Sequence, residues 1–173
     1  MRFLRLETER LVLRKAEERD LVAIWNNVWR DASLAETMLW TPTTTIGDAR
    51  DRLARTIAYQ ADNYGYFVCM KDTDEPIGFA GVRETGPRTF EETGICIARA
   101  RQNLGLGKET LSALVGLVFD GLGGHRFRYS CFHDNRASSA LCQACGFRYL
   151  RSEDKTRVRD GMQYVCDIYE RSI

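Results

Sequence analysis

A chain of 173 residues fits one domain and buries roughly 70% of the surface its unfolded form exposes, so it can hold a core without metal or disulfide. Its 44% hydrophobic and 28% charged residues are ordinary globular values and exclude disorder over most of the length. With 25 basic against 24 acidic residues, the formal net charge of +1 argues against a broad nucleic-acid or anionic-membrane surface, but leaves room for a local anion site.

The opening Met1-Arg2-Phe3-Leu4-Arg5-Leu6-Glu7 has no long apolar core. No later run approaches the roughly 18 apolar residues of a membrane span. Neither signal peptide nor membrane association is expected, and a soluble, cytoplasmic protein is the default. Leu11-Val12-Leu13-Arg14-Lys15 reads as a first strand. Asp20 then starts a helix whose apolar stripe is Leu21, Ile24, Trp25 and Val28. Thr45-Ile46-Gly47-Asp48 has a Ser/Thr-x-x-acid capping pattern and predicts a second helix carrying Ala49, Leu53 and Ile57.

Strands follow. Tyr66 to Met70 and Ile77 to Val82, joined by a polar turn, make a hairpin by pattern. Another strand covers about Glu91 to Arg99, with Thr93, Ile95, Ile97 and Arg99 on one side and Glu92, Gly94, Cys96 and Ala98 on the other. Leu111, Leu114, Val115, Val118, Phe119 and Leu122 mark a long helix after Gly107, ended by Gly121, Gly123 and Gly124. Phe127 to Phe132 is a strand. Ala137, Ala140, Leu141, Ala144 and Cys145 lie on one more amphipathic helix, closed by Gly146. Two strands, Phe147 to Leu150 and Met162 to Tyr169, end the chain. The fold class is α+β (mixed α/β) with about four helices, and the absence of any linker or repeat makes residues 1–173 a single domain.

The segment Gln102-Asn103-Leu104-Gly105-Leu106-Gly107-Lys108 joins a strand to the long helix. The first amides of that helix and its dipole favour an anion there. Gly105 and Gly107 allow close approach, and Arg99, Arg101 and Lys108 add charge. A P-loop would need glycine at Gln102 and Ser or Thr at Glu109. A dinucleotide fingerprint would need a small residue at Thr110 and a place nearer the first strand. A Gln-x-x-Gly-x-Gly motif remains.

That motif resembles the pyrophosphate-binding signature of the GNAT acyltransferases, and more narrowly of their RimJ/RimL-like branch. The segment Asn135 to Phe147, with Ser138 three residues after its Asn and Gly146-Phe147 at its end, is similar to the family's second signature. Leu6 to Arg14 also resembles the start of RimJ/RimL-type chains. The resemblance implies a mixed, mostly antiparallel sheet of about seven strands, splayed between the fourth and fifth. Acetyl-CoA would lie in the gap as cosubstrate, without a metal. It implies transfer of an acetyl group to a primary amine on a protein N-terminus or a small molecule, by direct attack in a ternary complex. A homodimer is common in such families.

Carried over residue by residue, backbone groups near Ile97, Ala98 and Arg99 would meet the pantetheine arm. Gln102, Leu104, Gly105, Leu106, Gly107 and Lys108 would form the pyrophosphate cradle. Asn135 would bind the cofactor arm or cap its helix. Glu92 is the first candidate base, with a surface strand carboxylate as the alternative. In RimJ/RimL-like enzymes a base can come from the segment before the last strand, where Arg157, Val158 and Arg159 stand here, with Glu153 and Asp154 further back. Many relatives have a Tyr seven residues after the helix Asn, where this chain has Cys142. A thiol is a weak donor, so Ser138 takes the acid role unless none exists or Ser138 only permits close approach. The acceptor would enter past Trp25, Trp29, Trp40, Met38, Glu36, Asp31 and Tyr64, an aromatic and acidic wall that suits a cationic amine.

Two other readings bear on the same residues. Cys131, His133, Cys142 and Cys145 have soft-ligand chemistry, but their spacing suits buried thiols better than zinc. A catalytically idle acyl-CoA-binding or regulatory module would fit the missing Tyr.

Overall fold

The computed structural model describes residues 3–173. Met1 and Arg2, the start of the segment read above for a leader, lie outside the described residues. Eight strands form one sheet: β1 (Arg5–Glu7), β2 (Leu11–Arg14), β3 (Tyr64–Met70), β4 (Pro76–Gly86), β5 (Thr89–Ile97), β6 (Arg126–Phe132), β7 (Arg148–Thr156) and β8 (Gln163–Ser172). Their spatial order is β1-β2-β3-β4-β5-β6-β8-β7. Every pairing is antiparallel except β5 with β6. The strand beyond the expected seven is β1, whose three residues are too few to show a period. β7 also runs on past Leu150 through Arg151 to Thr156. This polar, mostly exposed stretch pairs only with β8 at the sheet edge, where charged side chains are common and apolar alternation is lacking.

The α-helices are α1 (Leu21–Ile24), α2 (Ala32–Ala35), α3 (Ile46–Asp62), α4 (Leu106–Gly116) and α5 (Arg136–Ala144). α1 is the middle of a longer helical run that opens with a 3-10 turn at Glu18–Asp20 and ends in a π-type turn at Trp25–Trp29. At α3 the expected cap is present: the Thr45 hydroxyl accepts the Asp48 N–H at 3.1 Å. In α4 and the π-type turn Leu117–Gly121 that continues it, Leu111, Leu114, Val115 and Val118 of the predicted stripe lie in the core.

Helices cover both faces of the sheet. β3 is buried without a break from Gly65 to Cys69, which a strand shows only when neither face meets water. Phe67 meets Trp29 edge-on at 5.8 Å, and its neighbour Tyr66, pointing the opposite way, donates to the Phe3 carbonyl at 2.7 Å.

The feature that shapes the molecule lies between β5 and β6. They pair at only three positions, Thr89 with Arg126, Phe90 with Phe127 and Glu91 with Arg128. Beyond Arg128, β6 goes on pairing with β8 as far as Phe132, while β5 stays with β4. The β4–β5 register slips between Ala80, opposite Ile95, and Val82, opposite Glu92. This bulge puts one extra residue into β5 and sets Gly94 at φ +117°. The strict alternation expected from Glu91 to Arg99 therefore breaks at Thr93–Gly94. The strand also ends at Ile97, and Arg99–Arg101 form a 3-10 turn.

One brace escaped the sequence pattern. Arg14, buried on β2, makes two 2.8 Å hydrogen bonds to the buried Asp20 and one to the Asp74 carboxylate. Removing one partner of such a pair strands the other charge in the core. Asp20→Ala is expected to lower unfolding free energy by about 3 kcal/mol, read from urea denaturation curves.

Candidate functional site

Where β5 and β6 part, a cleft of about 1160 Å³ opens. One end is formed by the N-terminus of α4 and by α5, the other by α2, the Met38–Trp40 segment, α3 and the β7–β8 hairpin.

At the first end, the chain enters α4 through two left-handed residues, Asn103 (φ +60°) and Gly105 (φ +79°). No side chain caps α4, in contrast to α2, α3 and α5, which Asp31, Thr45 and Asn135 cap. The N–H groups of Leu106, Gly107 and Lys108 find no acceptor among the described residues and line the cleft. Free amides with a helix dipole behind them form an anion site. Gly107 lets α4 approach α5, since a Cβ there would lie 2.7 Å from Leu141 Cδ1.

The turn is braced from far along the chain. Arg10 donates to the Leu104 carbonyl (2.8 Å) and to Glu109 (2.8 Å), which also accepts from Thr8 (2.5 Å) and from the Arg10 N–H (2.7 Å). Glu109, which disqualified the P-loop, is thus a structural residue. Gln102 donates to the Ile97 carbonyl at 3.0 Å, so its amide holds the turn against the strand end. Arg99 is drawn to Ser33 and Asp31, and Arg101 to Glu75. Of the three cations expected here, Lys108 alone has no ion-pair partner among the described residues.

Three predicted cofactor or catalytic positions do not line the cleft. Leu104 turns its carbonyl to Arg10. Ala98 has both backbone groups engaged, its N–H with Ile77 at 2.7 Å and its C=O with Arg101 at 2.8 Å. With Ala98 bonded to β4 and the Ile97 carbonyl taken by Gln102, ladder alternation leaves the Ile97 N–H and the backbone groups of Ile95 facing the cleft. Cys142 is wholly buried on the core side of α5, its thiol bonded to the Ser139 carbonyl and pushed up to about 12 by burial.

Asn135 and Ser138 do line the cleft. Asn135 caps α5 by accepting the Ser138 N–H at 3.1 Å, which leaves its Nδ2 free to donate into the cleft. The Ser138 hydroxyl lies 2.6 Å from the hydroxyl of Tyr129, a residue the sequence reading passed over. Tyr129 sits on the inward face of β6 with Phe127 and Cys131, a period-2 pattern that marks burial but not function. Burial pushes its phenol well above the usual range and keeps it protonated.

Glu92 stands where the strands separate. One carboxylate oxygen accepts the Gly94 N–H of its own strand at 2.5 Å, the other the Ser130 N–H of β6 at 3.3 Å. Burial raises its carboxyl to about 7, the two amide donors pulling the other way. In the alternative base segment neither Glu153 nor Asp154 lines the cleft: Glu153 pairs with Arg151 and Lys155, and Asp154 is exposed. Arg157 is buried and clamps the carbonyls of Glu36 (2.7 Å) and Met38 (3.3 Å), tying the β7–β8 loop to the end of α2.

The far end differs from the aromatic, acidic wall expected. Met38 and Trp40 line it, but Trp25, Trp29, Asp31, Glu36 and Tyr64 do not. Trp29 is core, Trp25 donates to the Thr43 carbonyl, and Asp31 caps α2. The charged side chains at this end are chiefly basic, Arg52, Arg83 and Lys155, and Arg52 was not foreseen. All six cysteines are buried free thiols, and no metal-holding cluster occurs among the described residues. No helix among these residues is long and apolar enough to cross a membrane.

Comparison with known proteins places this geometry. A family model described as an acetyltransferase (GNAT) domain matches residues 10–148. No curated protein matches at the sequence level. Among solved structures, a GNAT-family acetyltransferase from Bacillus anthracis superposes with a TM-score of 0.84 at 18% identity, covering 97% of this chain and 98% of that one. A ribosomal-protein alanine acetyltransferase from Vibrio fischeri gives 0.78 at 18%, covering 97% and 96%. A ribosomal alpha-N-protein acetyltransferase, RimL, solved with coenzyme A, gives 0.82 at 21%, covering 98% of each. At these identities the likeness is one of fold.

The state of Glu92 yields a test on stability alone. Its carboxyl titrates near 7 when folded against 4.5 in the reference state, so between these values the folded chain holds the extra proton. Stability from this group therefore falls as pH rises through that window, by at most about 1.4 kcal/mol per unit. Glu92→Gln should lose that part of the decline and be more stable than wild type at pH 8, as measured by urea denaturation across the range.

Proposed function

For a chain that belongs to the acetyltransferase (GNAT) family, we propose that this cleft transfers an acetyl group from acetyl-CoA to a primary amine by direct attack in a ternary complex. The observation that carries the reading is the uncapped N-terminus of α4, opening on a cleft whose middle holds a carboxylate of raised pKa. A RimJ/RimL-like placement and a peptide N-terminus among the acceptors draw support from the likeness to ribosomal-protein acetyltransferases.

Acetyl-CoA supplies the acetyl group as an activated thioester. The free amides of Leu106, Gly107 and Lys108, with the Lys108 ammonium, hold its diphosphate. Asn135 Nδ2 and the β5 edge at Ile95 and Ile97 align its arm. An alkylamine is protonated near neutral pH, its pKa being about 8 to 10.4, and must lose a proton before it can attack. Glu92, titrating near 7, is matched to accept that proton at physiological pH, directly or through one water. As the new C–N bond forms and the C–S bond breaks, the departing sulfur needs a donor. Ser138 provides a hydroxyl hydrogen bond, and Tyr129 holds that hydroxyl in place. Cys142, buried away from the cleft, takes no part.

The test is calorimetry with acetyl-CoA followed by thiol-release assays over a panel of amines. Failure to bind acetyl-CoA sinks the proposal, and binding without turnover of any amine identifies the idle module. Lys108→Glu should weaken acetyl-CoA binding about tenfold without shifting the melting temperature. Glu92→Gln should leave acetyl-CoA binding intact and lower kcat/KM by about 10²-fold or more. Because the base must be ionised, wild-type kcat/KM should rise as pH passes through 7, and the variant should lose that limb of the profile.

A further inference from the structure

The acceptor end of the cleft contains a cation with an unmet electrostatic need. Arg52 projects from α3 and is sandwiched between two indoles, its guanidinium carbon 4.6 Å from the Trp29 ring centre and 5.0 Å from that of Trp40. Nη1 is committed to the Thr41 carbonyl (3.2 Å) and the Thr43 hydroxyl (3.0 Å). The opposite edge, Nε with Nη2, makes no hydrogen bond among the described residues.

Three other enclosed arginines each sit against a carboxylate, whereas Arg171, stacked on Phe119, bonds the Cys145 carbonyl and has no ion-pair partner among the described residues. Arg14 has Asp20, Arg128 has Glu170 and Arg157 has Asp160, each within 3.0 Å. No carboxylate among the described residues lies within ion-pair distance of Arg52. Asp48 and Asp51 line only an outer pocket on its far side. The other cations at this end are compensated, Arg83 by Glu91 and Lys155 by Glu153. Burial pushes the Arg52 guanidinium down to about 10, the mark of a charge held without a counterion. A second donor in the same wall is also unmet: the Trp40 indole N–H is buried with no acceptor among the described residues.

We propose that Arg52 anchors a carboxylate carried by the acceptor, so that the substrate is an amine with a carboxylate spaced some bonds away. The inference rests on the acetyltransferase reading of the cleft and deepens it. A free Nε–Nη2 edge presents two parallel donors, the geometry that fits the two oxygens of a carboxylate. The guanidinium is planar by delocalisation, and its place over the two indole rings holds it fixed, which favours such a paired contact over diffuse attraction. Contacts run from Arg52 toward the reacting centre. Trp40 meets Phe79 at 6.3 Å, and both Phe79 and Met38 border the Gly94 bulge beside Glu92. Two side chains in that path separate anchor from base, so the carboxylate does not share a carbon with the amine. A polyamine, cationic at both ends, would put an ammonium against Arg52 and is disfavoured.

The test compares matched acceptors that differ only in this charge, assayed by coenzyme A release. One arm uses ω-amino acids of increasing length against their terminal amides. The other uses short peptides with Asp or Glu near a free N-terminus against the same peptides with Asn or Gln. The first arm reports a small-molecule source of the carboxylate, the second a peptide source. In at least one arm wild type should favour the acid about tenfold or more in kcat/KM, chiefly through KM. In Arg52→Met that ratio should fall to about one, and Arg52→Lys should keep part of it. Should Arg52→Met fail to fold, judged by circular dichroism and acetyl-CoA calorimetry, the wild-type ratio decides by itself. Equal use of acid and neutral acceptors by wild type, with turnover present, overturns the inference while the acetyltransferase reading stands. No turnover of any acceptor overturns both.

Discussion

The separation of β5 from β6 is the constraint on which the rest of the molecule depends. Three parallel residue pairs join the two halves of the sheet, and then each strand follows a different partner. A strand edge without a neighbour leaves N–H and C=O groups unpaired, which costs free energy unless water or a ligand meets them. The bulge at Thr93–Gly94 turns β5 aside at this point, and Glu92 takes one amide from each strand. The Glu92 carboxylate thus spans the mouth of the gap. Burial there raises its pKa.

The glycine-rich entry to α4 shows a second economy of construction. The starts of α2, α3 and α5 are capped by nearby side chains, Asp31, Thr45 and Asn135. At α4 the local rule is broken, and the amides remain free for an anion. What keeps the left-handed turn in shape is not local but comes from Arg10, Thr8 and Glu109, about a hundred residues apart in sequence. The β1–β2 connection is therefore part of the anion site, although it touches none of its open amides.

Charge is distributed along the cleft with the same division of labour. Arg99 and Arg101 are spent on structural partners, and Lys108 has no ion-pair partner among the described residues. At the other end, Arg83 and Lys155 are neutralised and Arg52 is left over. An enclosed guanidinium without an anion is stable only if its other donors and its faces are well held, as Thr41, Thr43 and two tryptophans hold it here.

The sequence by itself determined the elements whose signal is local. Hydrophobic period drew α4, the Thr45 cap drew the start of α3, and the turn chemistry of Gln102 to Lys108 drew the uncapped start of α4, because each rests on residues within a few positions of one another. Ser138, from a motif with fixed spacing, and Glu92, from its place on the expected fourth strand, both line the cleft. The tertiary structure decided everything that required two distant segments to meet. It turned Cys142 and Leu104 away from the cleft and occupied the backbone of Ala98. It brought Tyr129 to Ser138, and it replaced an expected acidic wall with Arg52 between Trp29 and Trp40. Side-chain direction across a bulge and charge compensation between elements depend on packing, and no period in the sequence carries that information.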